Sequence, residues 1–418
     1  MSEQYEFPYD SQPMPDRLPD APRDKNAWWK GILKRGRIDV PFLLLTMLLL
    51  TVGLIMLLSA SYADAYYNSV GSDSGPNPML YFRRQLRFAV IGTIGMLVVS
   101  FIPLKLVRTL RLPAIGILLS IAILAAMKVI GLSSHGAVRW AEVGGQRFQP
   151  SELVKAAMVL GFANRIAREG SGMQNNKSIL WFLGILITIS GLLLVQPHLS
   201  ATIIILLLAA LMMFAGGTKW YWFVGAAAIA GIAVFLIRHN SEWIITSIDK
   251  LPEDMGIKYQ LDRISAWLNP EAKKLSGGWQ ILQSLYAIGS GGLMGLGLGN
   301  SRQKYMYLPE EQNDYIFPII CEELGFIGAT LILLLFAVLI IRGFWLALHC
   351  QDRFEKMVII GYTGLLAIQV FLNVGVVTNM LPSTGISLPF FSYGGTALVV
   401  QMGEVGLILS ASRSIQDK

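Results

Sequence analysis

Acidic side chains are concentrated in the stretch YLPEEQNDYIFPIICEELGFIG, at the point where a polar segment becomes strongly apolar. The polar half contains Glu310, Glu311 and Asp314, and the apolar half contains Glu322 and Glu323. An ionised carboxylate that faces a cavity can accept a proton from a substrate hydroxyl. Aspartate is also a common helix cap, so Asp314 could equally stabilise the start of the next helix. The residues alone leave both interpretations open, and the two roles are compatible.

The spacing of these acids limits the reaction that they could support. In a helix, Glu322 and Glu323 would lie about 12 Å beyond Asp314 along the axis. They are therefore poor partners for Asp314 at one substrate atom, whereas hydrolysis of an ordinary glycoside typically uses two facing carboxylates. One base with nearby cations would suffice for displacement at a phosphate-activated sugar, because cations stabilise the departing anion.

A second group of charged residues lies in GAVRWAEVGGQRFQPSELVKAA. Pro150, Ser151 and Glu152 are typical of a helix start, and Glu152 is spaced to pair with Lys155. Capping explains Ser151 and Glu152 but not Lys155, because an ammonium inside a membrane is costly and usually functional.

A break in the apolar pattern occurs at NMLPSTGISLPFFSYGGTAL, where two prolines and three glycines interrupt the sequence. Irregular backbone at membrane depth is tolerated only where it is buried in protein or lines a cavity. The pattern therefore predicts either a re-entrant turn or a direct contact with substrate.

Other catalytic classes lack their signatures. The run AIGSGGLMGLGLGN resembles a dinucleotide fingerprint superficially, but the strand and βαβ unit that such a site needs are not predicted around it. Close helix packing or approach to a lipid headgroup is the favoured interpretation. The four histidines have no metal-ligand spacing and no cysteine companions, which argues against zinc. Ser-His-Asp catalysis is not indicated, because the sequence contains no GxSxG elbow.

Composition indicates that these residues are held by membrane helices. Hydrophobic residues make up 54% of the chain and charged residues 15%, with a mean hydropathy of +0.53, whereas soluble proteins carry about 25% charge. Apolar runs near the ~20 residues that span a bilayer recur along the chain. They predict an all-α, polytopic membrane protein with ten transmembrane helices, at about 40–61, 87–106, 112–131, 150–166, 178–196, 199–216, 220–238, 315–341, 356–379 and 396–412.

The predicted organisation has five parts. They are a disordered cytoplasmic tail (1–39), transmembrane helices 1–7 (40–238), a large extracytoplasmic loop (239–313), transmembrane helices 8–10 (314–412) and a short cytoplasmic tail (413–418). Lys and Arg enrichment in the short loops on the side of the N-terminal tail predicts that both termini are cytoplasmic. This bias accounts for the net charge of +7, and no nucleic-acid role is expected. Amphipathic segments such as YQLDRISAWLNP predict short surface helices in the large loop.

Six segments identify a family that the sequence resembles. They are RRQL at 83–86, RW…FQPSELVKAA at 139–157, QPHLSAT at 196–202, GGWQILQSLYAIGSGGLMGLGLGNSRQK at 277–304, LPEEQNDYIFPIICEELGFIG at 308–328 and LPSTGISLPFFSYGGTAL at 381–398. Together they make the chain similar to the SEDS proteins (shape, elongation, division and sporulation). Within that family it is more similar to the FtsW and SpoVE subgroup than to RodA.

The resemblance implies a peptidoglycan glycosyltransferase that polymerises lipid II into β-1,4 glycan strands and releases undecaprenyl pyrophosphate. A lipid II flippase is the alternative. The essential aspartate of the family falls on Asp314 as the catalytic residue, while His198 replaces an aspartate found in many members. Contacts with the substrate are implied for Arg84, Gln85, Arg139, Glu152, Lys155, Gln312, Thr384 and Ser392.

The resemblance also implies partners, a location and a candidate cofactor. The partners would be a class B penicillin-binding protein, which is a transpeptidase, and other division or elongation proteins in the bacterial plasma membrane. Mg²⁺ or Mn²⁺ is a candidate for holding the pyrophosphate. A flippase needs a polar path to the inner leaflet, whereas Arg84, Arg139, Lys155 and Asp314 all map to the outer end, which favours the enzyme.

Overall fold

Helices dominate the residues that the computed structural model describes, which are 36–70, 75–130, 132–134, 137–143, 146–250, 258–274 and 277–415. The predicted disordered tail lies almost entirely outside this range. The helices are α1 (Val40–Ser69), α2 (Leu80–Phe101), α3 (Leu104–Thr109), α4 (Leu112–Ile130), α5 (Pro150–Glu169), α6 (Asn176–Val195), α7 (Leu199–Ala215), α8 (Tyr221–His239), α9 (Ser241–Asp249), α10 (Lys258–Leu268), α11 (Gly278–Ser290), α12 (Ile316–His349), α13 (Arg353–Val377) and α14 (Gly395–Ser412).

A helix lies at each of the ten predicted spans. Seven of the described helices, α1, α2, α6, α8, α12, α13 and α14, are long and apolar enough to cross a membrane. Shorter apolar segments occur in α4 and α7, and the more polar α5 occupies the fourth position. The prediction of a polytopic helical membrane protein is confirmed, and the count of ten crossings stays a prediction.

The second helix begins earlier than the apolar pattern predicts. The predicted span was 87–106, whereas α2 covers Leu80–Phe101. Arg83, Arg84 and Arg87 occupy its first turns with exposed side chains. The helix therefore extends beyond its apolar run, because charged side chains at a helix end can remain outside the hydrocarbon layer.

A small antiparallel sheet is a departure from the all-α prediction. Its strands are β1 (Leu132–Ser134), β2 (Ala137–Val143) and β3 (Gln146–Phe148), in the order β1-β2-β3. Leu132 pairs with Trp140, and Ala141 pairs with Phe148. Strand β2, AVRWAEV, contains the β-branched and aromatic residues that favour strands, a signal obscured by the apolar helices on either side. The sheet connects α4 to α5.

Burial differs sharply between two of the helices. Most residues of α13 are buried, and this helix packs against α5, α7, α12 and α14. Helix α8 has no buried residue among its described side chains. A helix that is apolar and exposed all round is suited to contact with lipid, because lipid solvates apolar side chains on every face.

A break in α12 explains the Gly-rich run 289–299. The backbone leaves helical geometry at Gly325, with φ 67° and ψ −171°. A Cβ there would lie 2.3 Å from the backbone nitrogen of Gly295. The freed backbone groups pair across this contact, since Phe326 N–H donates to Gly292 O at 2.8 Å and Leu296 N–H donates to Glu322 O at 2.9 Å. The run therefore serves close packing, as one of the two sequence interpretations proposed.

Candidate functional site

Asp314 lies just before α12 rather than at its cap. The N-cap of α12 is Tyr315, whose side chain makes no capping hydrogen bond, so the interpretation of Asp314 as the cap is wrong. Asn373 of α13 donates from Nδ2 to the backbone oxygen of Asp314 at 2.9 Å and to that of Ile386 at 2.7 Å. Helix α13 thereby holds Asp314 against the irregular segment 379–394.

The carboxylate of Asp314 is directed toward Gly385 in that segment. A Cβ on Gly385 would lie 2.9 Å from Asp314 Oδ2 and 3.6 Å from Arg263 Nη1. Gly385 has φ +68°, a conformation that side chains rarely adopt. Glycine therefore allows a carboxylate and a guanidinium to approach the same point of the backbone.

Arg263 is a functional candidate that the sequence interpretation missed. It lies in the amphipathic α10, and its Nη1 donates to Ser383 O at 3.2 Å. It lines a small cavity together with Ser200 and Thr384. The hydroxyl of Ser200 donates to the backbone oxygen of Thr384. The amphipathic pattern predicted a surface helix, but which residues α10 contacts depends on how the chain folds back.

Three predicted substrate contacts hold the irregular segment in place. Gln85 is fully buried and donates from Nε2 to Ser392 O at 3.2 Å, while its Oε1 accepts from Gly394 N–H at 3.2 Å. Ser392 Oγ accepts from Leu388 N–H at 2.7 Å. The backbone oxygen of Gln312 accepts from Tyr393 N–H at 2.8 Å. Gln85, Ser392 and Gln312 therefore tie α2, segment 379–394 and the loop before α12 together.

Glu152 and Lys155 form a pair within α5. Their Oε2 and Nζ atoms are 2.8 Å apart, and Lys155 is 2% exposed. The helix start at Pro150 is as predicted, but the N-cap is Gln149, and Ser151 Oγ has no partner among the described residues. Capping by Ser151 is therefore wrong, and the ammonium of Lys155 is neutralised mainly by its neighbour one turn away.

Arg84 and Arg139 are the remaining predicted contacts, and His198 was not predicted as one. Arg84 lies in α2 with an exposed side chain. Arg139 lies in strand β2, and its side chain is outside the described part of the chain. His198 is buried before α7, and its Nε2 lies 3.2 Å from Gln149 Nε2. The substrate contacts predicted for Arg84 and Arg139 stay predictions.

Glu322 and Glu323 hold the end of the Gly-rich loop. Ser301 Oγ donates to Glu322 Oε2 at 2.5 Å. Lys304 Nζ lies 2.9 Å from Glu323 Oε1, and Ser59 Oγ of α1 donates to the same carboxylate at 2.7 Å. Both glutamates are 1% exposed. As the spacing predicted, they bind neighbouring elements rather than joining Asp314 at one atom.

A buried acid precedes Asp314 by three residues. Glu311 is 4% exposed, and its Oε1 has no hydrogen-bond partner within the described part of the chain. Burial raises the pKa of Glu311 to about 8, and the nearby carboxylates of Asp64 and Glu310 act in the same direction. Burial therefore favours the neutral form of Glu311.

Stability is expected to fall between about pH 4.5 and pH 8 because of Glu311. Its folded pKa is about 8, against an ordinary value of 4.5. The folded state binds this proton more tightly than the unfolded state, so the stabilisation is complete at low pH and is lost as the pH rises. Glu311→Gln should raise the unfolding temperature at pH 8 by about 2–4 °C for each kcal/mol recovered. Thermal unfolding of both proteins at pH 5 and pH 8 measures this, and an equal difference at both values would contradict it.

Gly385→Ala is expected to depress the activity of the site by about 10²-fold, because the methyl group would displace the Asp314 carboxylate. Gly217→Ala is the matched control. Gly217 also has a positive φ, of +95°, but a Cβ there would meet nothing within 4 Å. The control variant should therefore show the effect of backbone strain alone, whereas Gly385→Ala adds displacement of the carboxylate. Turnover and thermal unfolding of both variants measure the difference, and equal activity would contradict the role of Gly385.

Within the described residues, no group of three or more His, Cys, Asp or Glu side chains is placed to hold a metal ion. His, Cys, Asp and Glu side chains in this part of the chain therefore do not form a protein-only cation site. Mg²⁺ is commonly held by one or two carboxylates together with substrate phosphates. A Mg²⁺ or Mn²⁺ ion at the pyrophosphate stays a prediction of that kind.

The fold and the site define a polytopic helical membrane protein with an aspartate just before a spanning helix, held against the irregular segment 379–394. The chain belongs to the FtsW/RodA/SpoVE family, whose model is described as "Cell cycle protein" and matches residues 40–417. This family is the one that the sequence segments indicated.

Two named relatives illustrate the match. The chain is 37% identical over 383 residues to stage V sporulation protein E of Bacillus subtilis, covering 91% of this chain and 98% of that protein. It is 34% identical over 380 residues to a probable peptidoglycan glycosyltransferase FtsW of Trichlorobacter lovleyi, covering 90% of this chain and 94% of that protein.

Solved structures share the fold. The chain resembles the rod shape determining protein RodA of Thermus thermophilus with a TM-score of 0.63 and 25% identity, covering 90% of this chain and 97% of that one. It also resembles a chain of a peptidoglycan synthase complex, with a TM-score of 0.69 and 24% identity, covering 90% of this chain and 98% of that chain.

Proposed function

We propose that this protein is a peptidoglycan glycosyltransferase that polymerises lipid II into β-1,4 glycan strands. The observation that carries the proposal is the Asp314 carboxylate, held before α12 beside the Arg263 guanidinium and Gly385. Family membership and the named FtsW relative support the reaction class. The similarity to stage V sporulation protein E supports a role in septum or cortex synthesis.

Asp314 acts as the general base in this proposal. It removes the proton from the GlcNAc 4-hydroxyl of the acceptor while that oxygen attacks the anomeric carbon of the donor MurNAc. The bond from that carbon to the pyrophosphate breaks, and undecaprenyl pyrophosphate leaves with the electron pair. Attack from the opposite face inverts an α-linked donor and gives the β-1,4 product. Cationic side chains near the pyrophosphate stabilise the charge that develops on the leaving group.

Substrate contacts are assigned to the groups around this centre. Thr384 lines the cavity beside Arg263, and Gln85, Ser392 and Gln312 hold segment 379–394 in place. Because Lys155 is buried and paired with Glu152, its action on lipid II would be electrostatic or would require that pair to open. Arg84 and Arg139 are the further candidates for the anionic parts of lipid II.

Glycan polymerisation from purified lipid II tests the proposal against its alternative. A polymerase forms glycan strands in detergent, where there are no leaflets to cross, and Asp314→Asn abolishes the product. A lipid II flippase would move lipid between leaflets of a vesicle and would form no strands. Absence of product from the wild-type protein together with its transpeptidase partner would contradict the enzyme.

A class B penicillin-binding protein is the proposed partner. The structural similarity to a chain of a peptidoglycan synthase complex supports this assignment. The single membrane helix of the transpeptidase would pack on the late spanning helices, in division or elongation assemblies. Co-purification of the two proteins, with a change in polymerising activity, is the expected result.

The proposed orientation places both termini in the cytoplasm. Reporter fusions after Arg37, Arg108 and Gly170 should report cytoplasm, because these positions follow the basic segments on the N-terminal side. Fusions near Ser74 and Lys273 should report the outside. The fusions are read by a pair of reporters that are active on opposite sides of the membrane. An outside signal at Gly170 would contradict the ten-span arrangement.

A further inference from the structure

Arg263 is placed where it can act on Asp314 and on the wall of the cavity at once. Its Nη1 donates to Ser383 O at 3.2 Å and also lies 3.6 Å from the position of a Cβ on Gly385, the point that Asp314 Oδ2 approaches to 2.9 Å. The guanidinium is planar and carries several donors in a fixed geometry. One Arg263 side chain can therefore fix a backbone carbonyl and orient a carboxylate.

Among the residues that the structure describes, Arg263 is the cation beside the point that Asp314 Oδ2 approaches. Segment 382–386 contributes no charged side chain, and α13 contributes the neutral Asn373. Glu310 Oε2 accepts from Asn313 Nδ2 at 2.5 Å, and Glu311 interacts with Asp64 and Glu310. Tyr315 OH lies 3.1 Å from Ser383 Oγ. Within the described residues, these acids of the same loop have other polar groups beside them.

We infer that Arg263 is the positioning residue for Asp314, holding the carboxylate ionised and directed toward Gly385 for proton removal. This inference rests on the proposed function of Asp314. Arg263 acts through Asp314 and need not touch lipid II. It also couples α10, in the large loop between α8 and α12, to catalysis, so that movement of α10 would change the geometry of the base.

The test compares Arg263→Gln and Arg263→Lys with wild type in lipid II polymerisation between pH 5 and pH 9. Arg263→Gln should lower kcat by about 10²-fold, because a displacement near 1 Å has that effect. The acidic limb of its pH–kcat profile, where activity falls as the base is protonated, should move up by about 1 pH unit or more. The reason is that a neighbouring cation favours the ionised carboxyl. Arg263→Lys should restore the acidic limb but only part of kcat, because an ammonium lacks the fork of guanidinium donors.

The controls separate this inference from a structural role and from the proposed function. Arg302→Gln removes an exposed arginine from the same large loop and should leave kcat and the acidic limb unchanged. A lower kcat for Arg263→Gln with an unmoved acidic limb would overturn the positioning role. If Arg263→Gln does not fold, Arg263→Lys decides, and a wild-type kcat in that variant would overturn the inference. Near wild-type polymerisation by Asp314→Asn, measured in parallel, would instead refute Asp314 as the base, and absence of product from the wild-type protein would refute the proposed function.

Discussion

Replacing Asp314 with asparagine is expected to abolish glycan polymerisation while the protein still folds and inserts. Asparagine has nearly the same size and can keep the backbone contact with Asn373, which uses the carbonyl of residue 314. It cannot accept a proton from the acceptor hydroxyl. General base catalysis typically contributes 10²–10⁴-fold, so the rate should fall by about that factor or more. Polymerisation of purified lipid II, with thermal unfolding of both proteins, measures the effect.

Two further variants complete this experiment: one lengthens the acid at position 314, and the other removes a charge far from the site. Asp314→Glu should also lose about 10²-fold, because an extra methylene moves the carboxylate by about 1 Å. Glu271→Gln is the control, since Glu271 is exposed in the large loop and lies outside the proposed site. Near wild-type polymerisation by Asp314→Asn would show that Asp314 is not the base. Glu310 and Glu311 would then be the acids to examine.

Lys304→Met is expected to cost about 3–5 kcal/mol of stability, because it leaves the Glu323 carboxylate buried without its cation. The side chains of Lys304 and Glu323 are 3% and 0% exposed, and their charged atoms are 2.9 Å apart. Lys304 Nζ also donates to Gly299 O at 2.6 Å and to Ser59 Oγ at 3.3 Å. Loss of the ammonium should release the Gly-rich loop from α1 and α12. Thermal unfolding in detergent measures the change.

A double variant distinguishes a buried charge from lost packing. Lys304→Met with Glu323→Gln should recover much of the stability, since a neutral amide costs less to bury and can still bond Ser59 Oγ. Lys274→Met is the matched control, because Lys274 is exposed in the large loop. Equal stability of Lys304→Met and Lys274→Met would show that the buried pair contributes nothing. A double variant no more stable than Lys304→Met would assign the loss to packing.

The sequence by itself determined the class of protein and the approximate positions of its helices. A long apolar run predicts a spanning helix wherever it occurs. Hydrocarbon offers no hydrogen bonds, so the backbone must satisfy its own polar groups, as a helix does. The family and the position of Asp314 followed from contiguous motifs such as LPEEQNDYIF. The start of α5 at Pro150 was also local, since proline is favoured in the first helical turn. The predicted start of α2 was less accurate than that of α5, because exposed arginines at a helix end do not stop the helix.

Only the tertiary structure decided how the site is assembled. Arg263, Asp314 and Gly385 come from three separate segments, and their approach to one point depends on how α10 and segment 379–394 fold back against α12. Glu323 pairs with Lys304 and Ser59 across a loop and another helix. The same applies to the unforeseen three-stranded sheet, whose pairing lies in a connection between apolar helices. The chemical type of each side chain can be read directly from the sequence. The partner of a charged group and its burial depend on contacts between distant segments.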